Sequence, residues 1–413
     1  MHCTLGESMF QQTLEEKVLR DPIHEYIHVN LKLIWDLINT REVQRLRRIH
    51  QLGVSMLVYH TAEHSRFSHS LGVYEITRRM IEEVSGLKEQ LTEHEQVALL
   101  CAALLHDVGH GPFSHAFENV SHVHHETLSI QLITQPSDIH RILMDADESL
   151  PLMIAQILSH TYTKPLLSQI ISGQIDADRM DYLLRDAYFT GTSYGQFDLE
   201  RILRTLRIEE QRLVVKESGV HAIEDYIMAR YHMYWQVYYH PVSRSGEVLI
   251  SSLFQRMKDC IDLGIESFEH APFIQNFLMG NPITNNMMMN LDEVSFLSLV
   301  MTLQTHQDEI LSDLSKRVLD RVLFGYVDYK NTKQKEELIE RIKYKGYDLR
   351  YYFDEDKAIQ TPYRPYKEDE QSHIWILTSQ GLKELSTVSV IVSAIVKGKE
   401  KEDVKLYAPK ECL

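Results

Sequence analysis

The spacing of apolar residues changes along the chain and divides it into two parts. From residue 40 to about residue 319, apolar residues recur every three or four positions, a spacing that predicts helices. β-Branched and apolar residues run together over 206–216 and 374–378 and, more briefly, within 18–29, so we expect short strands there. Beyond residue 321, short extended stretches alternate with helices, one of them a charged helix predicted over 333–345.

These patterns predict a mainly α protein. We expect a helical domain over residues 1–320, with its core at about 40–245, and a small α+β C-terminal region over 321–413. Residues 364–372 are polar and charged, and we expect a loop there.

Several helix ends carry local signals. Residues 92–95 read Thr-Glu-His-Glu, a capping box, and they begin an apolar run that ends at His106 and Asp107. Two glycines and a proline follow within five residues, so the predicted helix stops there. Further helices are predicted over 65–84 and from Asp176, a suitable N-cap, to about residue 187.

Composition excludes several classes of protein. The 413 residues are 44% apolar, which is enough for a sizeable core, and no apolar stretch reaches the roughly 18–20 residues that span a bilayer. The formal net charge of −16 argues against general nucleic-acid binding. No signal-peptide pattern is present at the start, so we expect a cytoplasmic protein. Four widely spaced cysteines form neither a zinc pattern nor a disulfide framework, namely Cys3, Cys101, Cys260 and Cys412.

A histidine and an aspartate, His106 and Asp107, stand side by side at the end of the predicted buried helix. Imidazole and carboxylate are common ligands of divalent metals, and burying both without partners is costly. His69 and Asp178 lie in similar polar sequences inside predicted helices. Each alone is as readily a core histidine or a solvated carboxylate. Together the four give the order H…HD…D and predict a site for Mn, Mg, Fe, Ni or Zn.

Polar residues also form a stripe on the helix that carries Asp178. Asp178, Tyr182 and Asp186 are spaced four residues apart, so they share one helix face. Such a stripe is either a solvated face or one side of a site. Arg66 and Arg179 flank two of the candidate ligands, and arginine grips phosphate oxygens in a bidentate manner. The combination favours a nucleoside triphosphate as the substrate.

Five segments together resemble a known family: residues 44–53, 66–72, 106–115, 125–126 and 176–182. They are similar to the dNTP triphosphohydrolases of the HD superfamily of metal-dependent phosphohydrolases. The match is closest to the branch of the SAM-and-HD-domain enzymes and their bacterial relatives, and we expect an HD-only member without a SAM domain. The resemblance is dense from about residue 20 to 245 and thin beyond. It implies a mostly helical homotetramer that splits a dNTP into deoxynucleoside and triphosphate under control of a nucleotide such as dGTP or GTP.

The resemblance also implies roles for individual residues. It implies acid–base catalysis by His110, His115, His125 and Glu126, without deciding which of them protonates the 5′-oxygen. It implies substrate contacts by Gln51, Leu52, Arg66, Arg179, Tyr182, Asp186, Arg230, Tyr238 and His240. It implies contacts to a regulatory nucleotide at a subunit interface by Asn39, Gln44, Arg45 and Lys216. It supports metal ligation by His69, His106, Asp107 and Asp178.

Two other classes of function stay open on sequence alone. One is an HD phosphohydrolase that acts on a nucleotide monophosphate, a cyclic nucleotide or ppGpp. The other is a non-catalytic regulator that senses nucleotides with a vestigial site. A vestigial site predicts missing ligands, and all four candidates are present here.

Overall fold

The computed structural model describes most of the chain. The described residues are 10–113, 117–118, 123–266, 268–269, 271–360, 363, 373–398 and 401–413. The predicted catalytic residue His115 and the predicted loop over 364–372 lie outside them.

Helices make up most of the structure, which confirms the prediction of a mainly α fold. Those before residue 206 are α1 Lys32–Ile38, α2 Arg41–Arg45, α3 Arg66–Glu83, α4 Leu87–Gln90, α5 Glu93–Leu105, α6 His125–Thr134, α7 Asp138–Ala146, α8 Leu150–Leu158, α9 Pro165–Ser172, α10 Ala177–Thr190 and α11 Leu199–Thr205. Those after it are α12 Val220–Met233, α13 Pro241–Asp262, α14 Pro272–Leu278, α15 Asn285–Met288, α16 Glu293–Leu303, α17 Glu309–Leu319, α18 Thr332–Tyr344, α19 Leu349–Tyr352, α20 Leu385–Val388 and α21 Val390–Lys397. A π-helical turn, Tyr234–Tyr238, joins α12 to α13.

The strands form three small sheets. They are β1 Gln12–Asp21, β2 Glu25–Leu31, β3 Leu206–Glu209, β4 Arg212–Lys216, β5 Gly325–Asp328, β6 Asp354–Gln360, β7 Trp375–Thr378, β8 Gly381–Glu384 and β9 Lys401–Ala408. The sheets have the orders β1-β2, β3-β4-β7-β8 and β5-β9-β6. The short extended stretch expected within 18–29 is thus part of a longer N-terminal hairpin.

The local helix signals have their expected effects. Thr92 and Glu95 form the capping box that begins α5, and His106 caps its C-terminus. The Asp176 carboxylate accepts a hydrogen bond from the Arg179 backbone and begins α10. That helix ends at Gly191, whose φ of +70° is a left-handed conformation that costs glycine little.

The C-terminal region is joined to the helical part by sheet pairing. Strand β7 pairs in parallel with β4, with Trp375 opposite Val214. Nothing in the local sequence of either strand indicates this partner. The boundary near residue 320 therefore stays a prediction, because a sheet spans it.

Helix α5 lies at the centre of the core and positions the site. All its residues from Val97 to Leu105 are buried, and it packs against α3, α8 and α9. A helix that is apolar on every side belongs inside a protein, and burial of each leucine stabilises the fold by about 1.5–3 kcal/mol. This packing carries His106 and Asp107, at the end of α5, into the interior.

Helices α3 and α10 approach each other closely at one glycine. A Cβ atom on Gly72 would lie 1.8 Å from Oδ1 of Asp181 and 2.5 Å from a guanidinium nitrogen of Arg185. Only a residue without a side chain leaves room for this buried ion pair between the helices.

In the part of the chain that the structure describes, no helix combines the length and apolar character needed to cross a membrane.

We predict that Gly72→Ala destabilises the fold by about 1–3 kcal/mol, because the methyl group displaces a buried ion pair. Chemical denaturation with an unchanged m-value measures the loss. The control Gly246→Ala, in α13, brings its Cβ to 3.2 Å from Cβ of Val54, so a smaller loss is expected. Equal stability of Gly72→Ala and wild type would refute the close approach.

Candidate active site

His106 presents one nitrogen to the interior. Its Nδ1 donates to the Ala103 carbonyl oxygen at 2.9 Å, so Nε2 holds the lone pair. Nε2 is buried and makes no hydrogen bond to a described residue. A buried acceptor without a donor is costly, and a metal ion is the kind of partner that removes this cost.

His69, in the first turn of α3, faces the same point. Its Nδ1 is 2.8 Å from Oδ2 of Asp181, and its Nε2 is 3.0 Å from Oδ1 of Asp178. Burial opposes a charged imidazole, but the hydrogen bonds to Asp178 and Asp181 outweigh it and raise the pKa of His69 to about 10. The two carboxylates therefore favour positive charge at this point, which is what a bound cation supplies.

The four predicted ligands converge in space. Nε2 of His106 lies 3.5 Å from Oδ1 of Asp107 and 3.7 Å from Oδ1 of Asp178. Nε2 of His69 lies 3.9 Å from Oδ2 of Asp107. The ligand atoms of His69, His106 and Asp178 lie within 4.8 Å of one another and could hold a divalent metal ion, and Asp107 adjoins this group. Such a set leaves positions for water or substrate oxygens.

A buried network of charged residues lies behind His69, and the sequence analysis did not predict it. The Asp181 carboxylate accepts from Nε and Nη2 of Arg185 at 2.8 and 2.9 Å and pairs with Nε2 of His24 at 2.6 Å. Arg185 also donates to Asp21 at 2.9 Å. Asp181 lies in the same sequence motif as Asp178, three residues later, which was an available signal. Asp21 and His24 come from the N-terminal hairpin, and no local pattern places them here.

A second group of possible ligands adjoins the first. It comprises Asp107, His110 and His125, whose donor atoms lie within 4.8 Å of one another. The rings of His110 and His125 stack with centroids 3.7 Å apart, and Nε2 of His110 is 3.3 Å from Oδ1 of Asp107. Burial, followed by the nearby Arg66, lowers the pKa of His110 well below its usual value, so this imidazole is neutral.

Glu118, and not Glu126, is the carboxylate partner of His125. Its Oε1 lies 2.5 Å from Nδ1 of His125 and also accepts from the His125 backbone N–H at 3.1 Å. Glu126 is exposed in the first turn of α6. Adjacent residues on a helix point in different directions, so the neighbour in sequence is not the neighbour in space. The catalytic role implied for Glu126 stays a prediction, and Glu118 is the carboxylate that contacts His125 here.

A cavity of about 560 Å³ opens onto these groups. It is lined by Gln51, Leu52, Gly53, Val54, Ser55, Arg66, Asp107, His110, Phe113, His125, Asp178, Tyr182, Asp186, Tyr234, Tyr238, Tyr239, Arg244, Glu247, Asp356, Lys357 and Ala358. Six of the nine predicted substrate residues are in this set. Helices α3, α6, α10 and α13, the loops that follow residues 50 and 105, and strand β6 thus line one space beside the metal-type donors.

The other three predicted substrate residues are absent from the lining. The Arg179 guanidinium donates to the Asp176 carboxylate and the Gly173 carbonyl oxygen. Nη1 of Arg230 donates to Oε1 of Gln174 at 3.2 Å. Nδ1 of His240 caps α13 by accepting from a backbone N–H at 3.2 Å. In this structure each of the three is held by a neighbouring part of the chain.

The polar stripe on α10 faces the cavity rather than solvent. Oδ2 of Asp186 accepts from the Tyr238 hydroxyl at 2.7 Å, and Oδ1 lies 2.8 Å from Nε2 of His64. The rings of Tyr182 and Tyr238 meet edge to face at 6.0 Å. Burial raises the pKa of both tyrosines well above the usual value, so they stay neutral donors.

The residues predicted to bind a regulatory nucleotide differ in their exposure. Arg45 has no exposed surface, and it donates to the carbonyl oxygens of Leu291 and Val108. In this structure its Nη1 and Nη2 are bonded inside the protein, and its contact with a regulatory nucleotide stays a prediction. Asn39 and Lys216 are exposed, and Gln44 is half-buried.

Glu293, the first residue of α16, connects two loops beside the cavity through hydrogen bonds. The sequence analysis did not predict this connection. One Glu293 oxygen accepts from the backbone N–H groups of His50 and Phe113, each at 3.2 Å. The other pairs with Nδ1 of His50. Burial opposes the charged imidazole, but hydrogen bonds to Glu293 and Glu63 raise the pKa of His50 to about 9. This buried carboxylate fixes the loop before Gln51 against the loop after Asp107.

Convergent imidazoles and carboxylates at the end of a buried helix, beside a cavity, define the class of helical metal-dependent phosphohydrolases. Residues 66–186 match the model of the HD domain, and residues 197–413 match that of the HD associated region. The chain belongs to the HD-domain family.

Several relatives span most of the chain. The uncharacterised protein YwfO of Bacillus subtilis is 47% identical over 97% of this chain and 93% of its own length. The crystal structure of a phosphohydrolase, BT4208, from Bacteroides thetaiotaomicron is 30% identical, with a TM-score of 0.83 over 95% of this chain and 100% of that chain. The deoxynucleoside triphosphate triphosphohydrolase SAMHD1 homolog of Dictyostelium discoideum is 28% identical over 78% of this chain and 62% of its own length.

We predict that Asp181→Asn weakens Mn²⁺ binding about 10- to 100-fold, because the carboxylate orients His69 and increases its basicity. Calorimetric titration of the folded variant with Mn²⁺ measures the change. Asp186→Asn is the matched control, since it lies on the same helix and pairs with His64 and Tyr238 instead. An unchanged affinity in Asp181→Asn would show that this carboxylate does not support the site.

Proposed function

We propose that this protein is a metal-dependent dNTP triphosphohydrolase that produces deoxynucleoside and inorganic triphosphate. One observation carries the proposal: a single cavity joins Asp107, His110 and His125 to the Tyr182–Asp186 stripe. It offers hydrolytic groups at one end and a surface suited to a deoxyribose next to them. The name of the Dictyostelium relative supports the same substrate class.

We assign the metal site to His69, His106, Asp107 and Asp178. When bound there, a divalent ion lowers the pKa of a water molecule and draws charge from a phosphoryl oxygen. Arg66 lines the cavity and donates to the Asp107 carboxylate. Its guanidinium provides positive charge where a triphosphate, with close to four negative charges, would lie.

The chain's own residues account for positioning and proton transfer. Water attacks the α-phosphorus, the bond to the 5′-oxygen breaks, and that oxygen takes a proton. We assign the proton donor to His125, because it lines the cavity and Glu118 fixes its other nitrogen. Asp186 and the neutral phenol of Tyr182 would contact the sugar, where Tyr182 restricts the space for a 2′-hydroxyl.

We propose in addition a cytoplasmic homotetramer regulated by a nucleotide such as dGTP or GTP. Asn39, Gln44 and Lys216 are the members of the implied nucleotide site that reach the surface. Arg45 takes a different part, because it links this segment to Val108, the residue after Asp107. Repeating the assays below with and without GTP or dGTP tests the regulation.

We expect the protein, with Mn²⁺, to convert dNTPs to deoxynucleoside and triphosphate in equal amounts. Ion-exchange chromatography of the products from a dNTP and NTP panel measures this. The control is the His106→Ala, Asp107→Ala double variant, which should release no triphosphate because half of the donor set is gone. Release of orthophosphate or pyrophosphate by wild type would contradict the proposed reaction.

We expect Glu118→Gln to lower kcat roughly 10- to 100-fold with little change in KM, since His125 loses the carboxylate that orients it. The matched change Glu126→Gln should leave both parameters close to wild type, because that side chain is exposed. Steady-state rates of triphosphate release measure both variants. A larger loss in Glu126→Gln than in Glu118→Gln would return the role to Glu126.

A further inference from the structure

The far wall of the active-site cavity comes from the C-terminal region. Asp356, Lys357 and Ala358 of strand β6 line the same cavity as Asp107 and Asp178. They are more than 100 residues beyond the end of the predicted core near residue 245. No role in substrate binding follows from their sequence, yet they are part of the wall of this cavity.

A buried arginine holds β6 in this place. Arg244, in the first turn of α13, is only 2% exposed. Its Nε donates to Oδ2 of Asp356 at 2.5 Å, its Nη2 donates to the Asp356 carbonyl oxygen at 2.8 Å, and its Nη1 donates to Oδ2 of Asp403 on β9 at 2.6 Å. The Tyr239 hydroxyl donates to the Ile359 carbonyl oxygen at 3.4 Å. Because these bonds join two strands to one helix, the wall has a fixed position.

Strand geometry decides which side chains face inward. Residues two apart on a strand share a face, and directly paired residues on neighbouring strands do so too. Asp356 and Ala358 are two apart, and Ala358 is paired with Asp403. All three therefore lie on the face that Arg244 contacts. Lys357 also lines the cavity, but its ammonium group pairs with Glu402 on the other face of the two strands.

A series of contacting aromatic rings connects this wall with the metal-type donors. His69 contacts Tyr182 at 6.4 Å, Tyr182 contacts Tyr238 at 6.0 Å, and Tyr238 contacts Tyr234 at 5.1 Å between centroids. Tyr234 then contacts Tyr239 at 5.5 Å, and Tyr239 reaches β6. A nucleotide with its phosphates at the donors and its sugar at Tyr182 would direct its base toward this end.

We propose that β6 selects the nucleobase and that Ala358 sets the depth of the base pocket. The inference rests on the proposed function, because it takes the base to lie beyond the sugar. Ala358 is 5% exposed and carries the smallest side chain that a β-carbon allows. A larger residue at this position reduces the space for a two-ring purine before it affects a one-ring pyrimidine. Ala358 is thus a specificity-determining residue contributed by the HD associated region.

The test compares kcat/KM for dATP and dGTP with that for dCTP and dTTP in wild type, Ala358→Val and Ala358→Leu. We expect the purine-to-pyrimidine ratio to fall progressively, by about tenfold in Ala358→Leu. Glu355→Ala is the control, because Glu355 lies on the same strand and pairs with Lys335 away from the cavity lining. Its ratio should equal that of wild type. Thermal unfolding identifies any variant that does not fold, and the smaller Ala358→Val change then carries the comparison.

An unchanged ratio in a folded Ala358 variant, or an equal loss for all four nucleotides, would overturn the proposal. Failure of the proposed function has a different signature, namely no triphosphate from any dNTP with wild type. In that case calorimetric binding of dATP and dCTP to the same variants replaces turnover. A loss of dATP binding without a loss of dCTP binding in the Ala358 variants then still supports base selection by β6. An equal change in the affinity for both nucleotides refutes it.

Discussion

Buried negative charge at the end of α5 is the constraint on which the rest of the structure depends. The packing of an all-apolar helix carries Asp107 into the core, and α10 brings Asp178 and Asp181 beside it. Carboxylates in such a place need compensating positive charge. Arg185 provides it for Asp181, Arg66 provides it for Asp107, and the remaining charge around Asp178 favours a bound cation. The negative charge at the metal-type site is therefore the part that a bound cation, and not a side chain of the protein, would neutralise.

Residues distant in sequence keep the loops around that site in register. Arg45 joins the carbonyl oxygen after Asp107 to that of Leu291, and Glu293 ties the His50 and Phe113 backbones together. The bonds of Arg45 and the bond from Phe113 are buried, and the bond from His50 is part-buried. Buried hydrogen bonds are stronger than exposed ones and costly to leave unpaired. Residues of the HD domain and of the associated region therefore together fix the geometry of one cavity.

Local signals in the sequence predict the elements well, but they predict long-range partners poorly. The capping box, the terminal glycines and the four-residue stripe fix α5 and α10, and the ligand-type residues on these helices follow from them. Pairing of β4 with β7 and the contact of His24 with Asp181 join segments about 160 residues apart. The contact of His125 with Glu118 has the same origin, because the fold, and not adjacency in sequence, sets which carboxylate meets this imidazole.

The HD associated region changes how the site is understood. The H…HD…D residues and their helices alone indicate no role for residues beyond 245 at the site. Yet the buried guanidinium of Arg244 joins β6 and β9 to α13 through part-buried ion pairs with Asp356 and Asp403, and β6 forms part of the cavity wall. Helices α3, α5 and α10, which carry the groups suited to hydrolysis, bury most of their residues in the core. Strand β6 carries none of the metal-type donors, so a change in its side chains alters the shape of the cavity and leaves those donors in place.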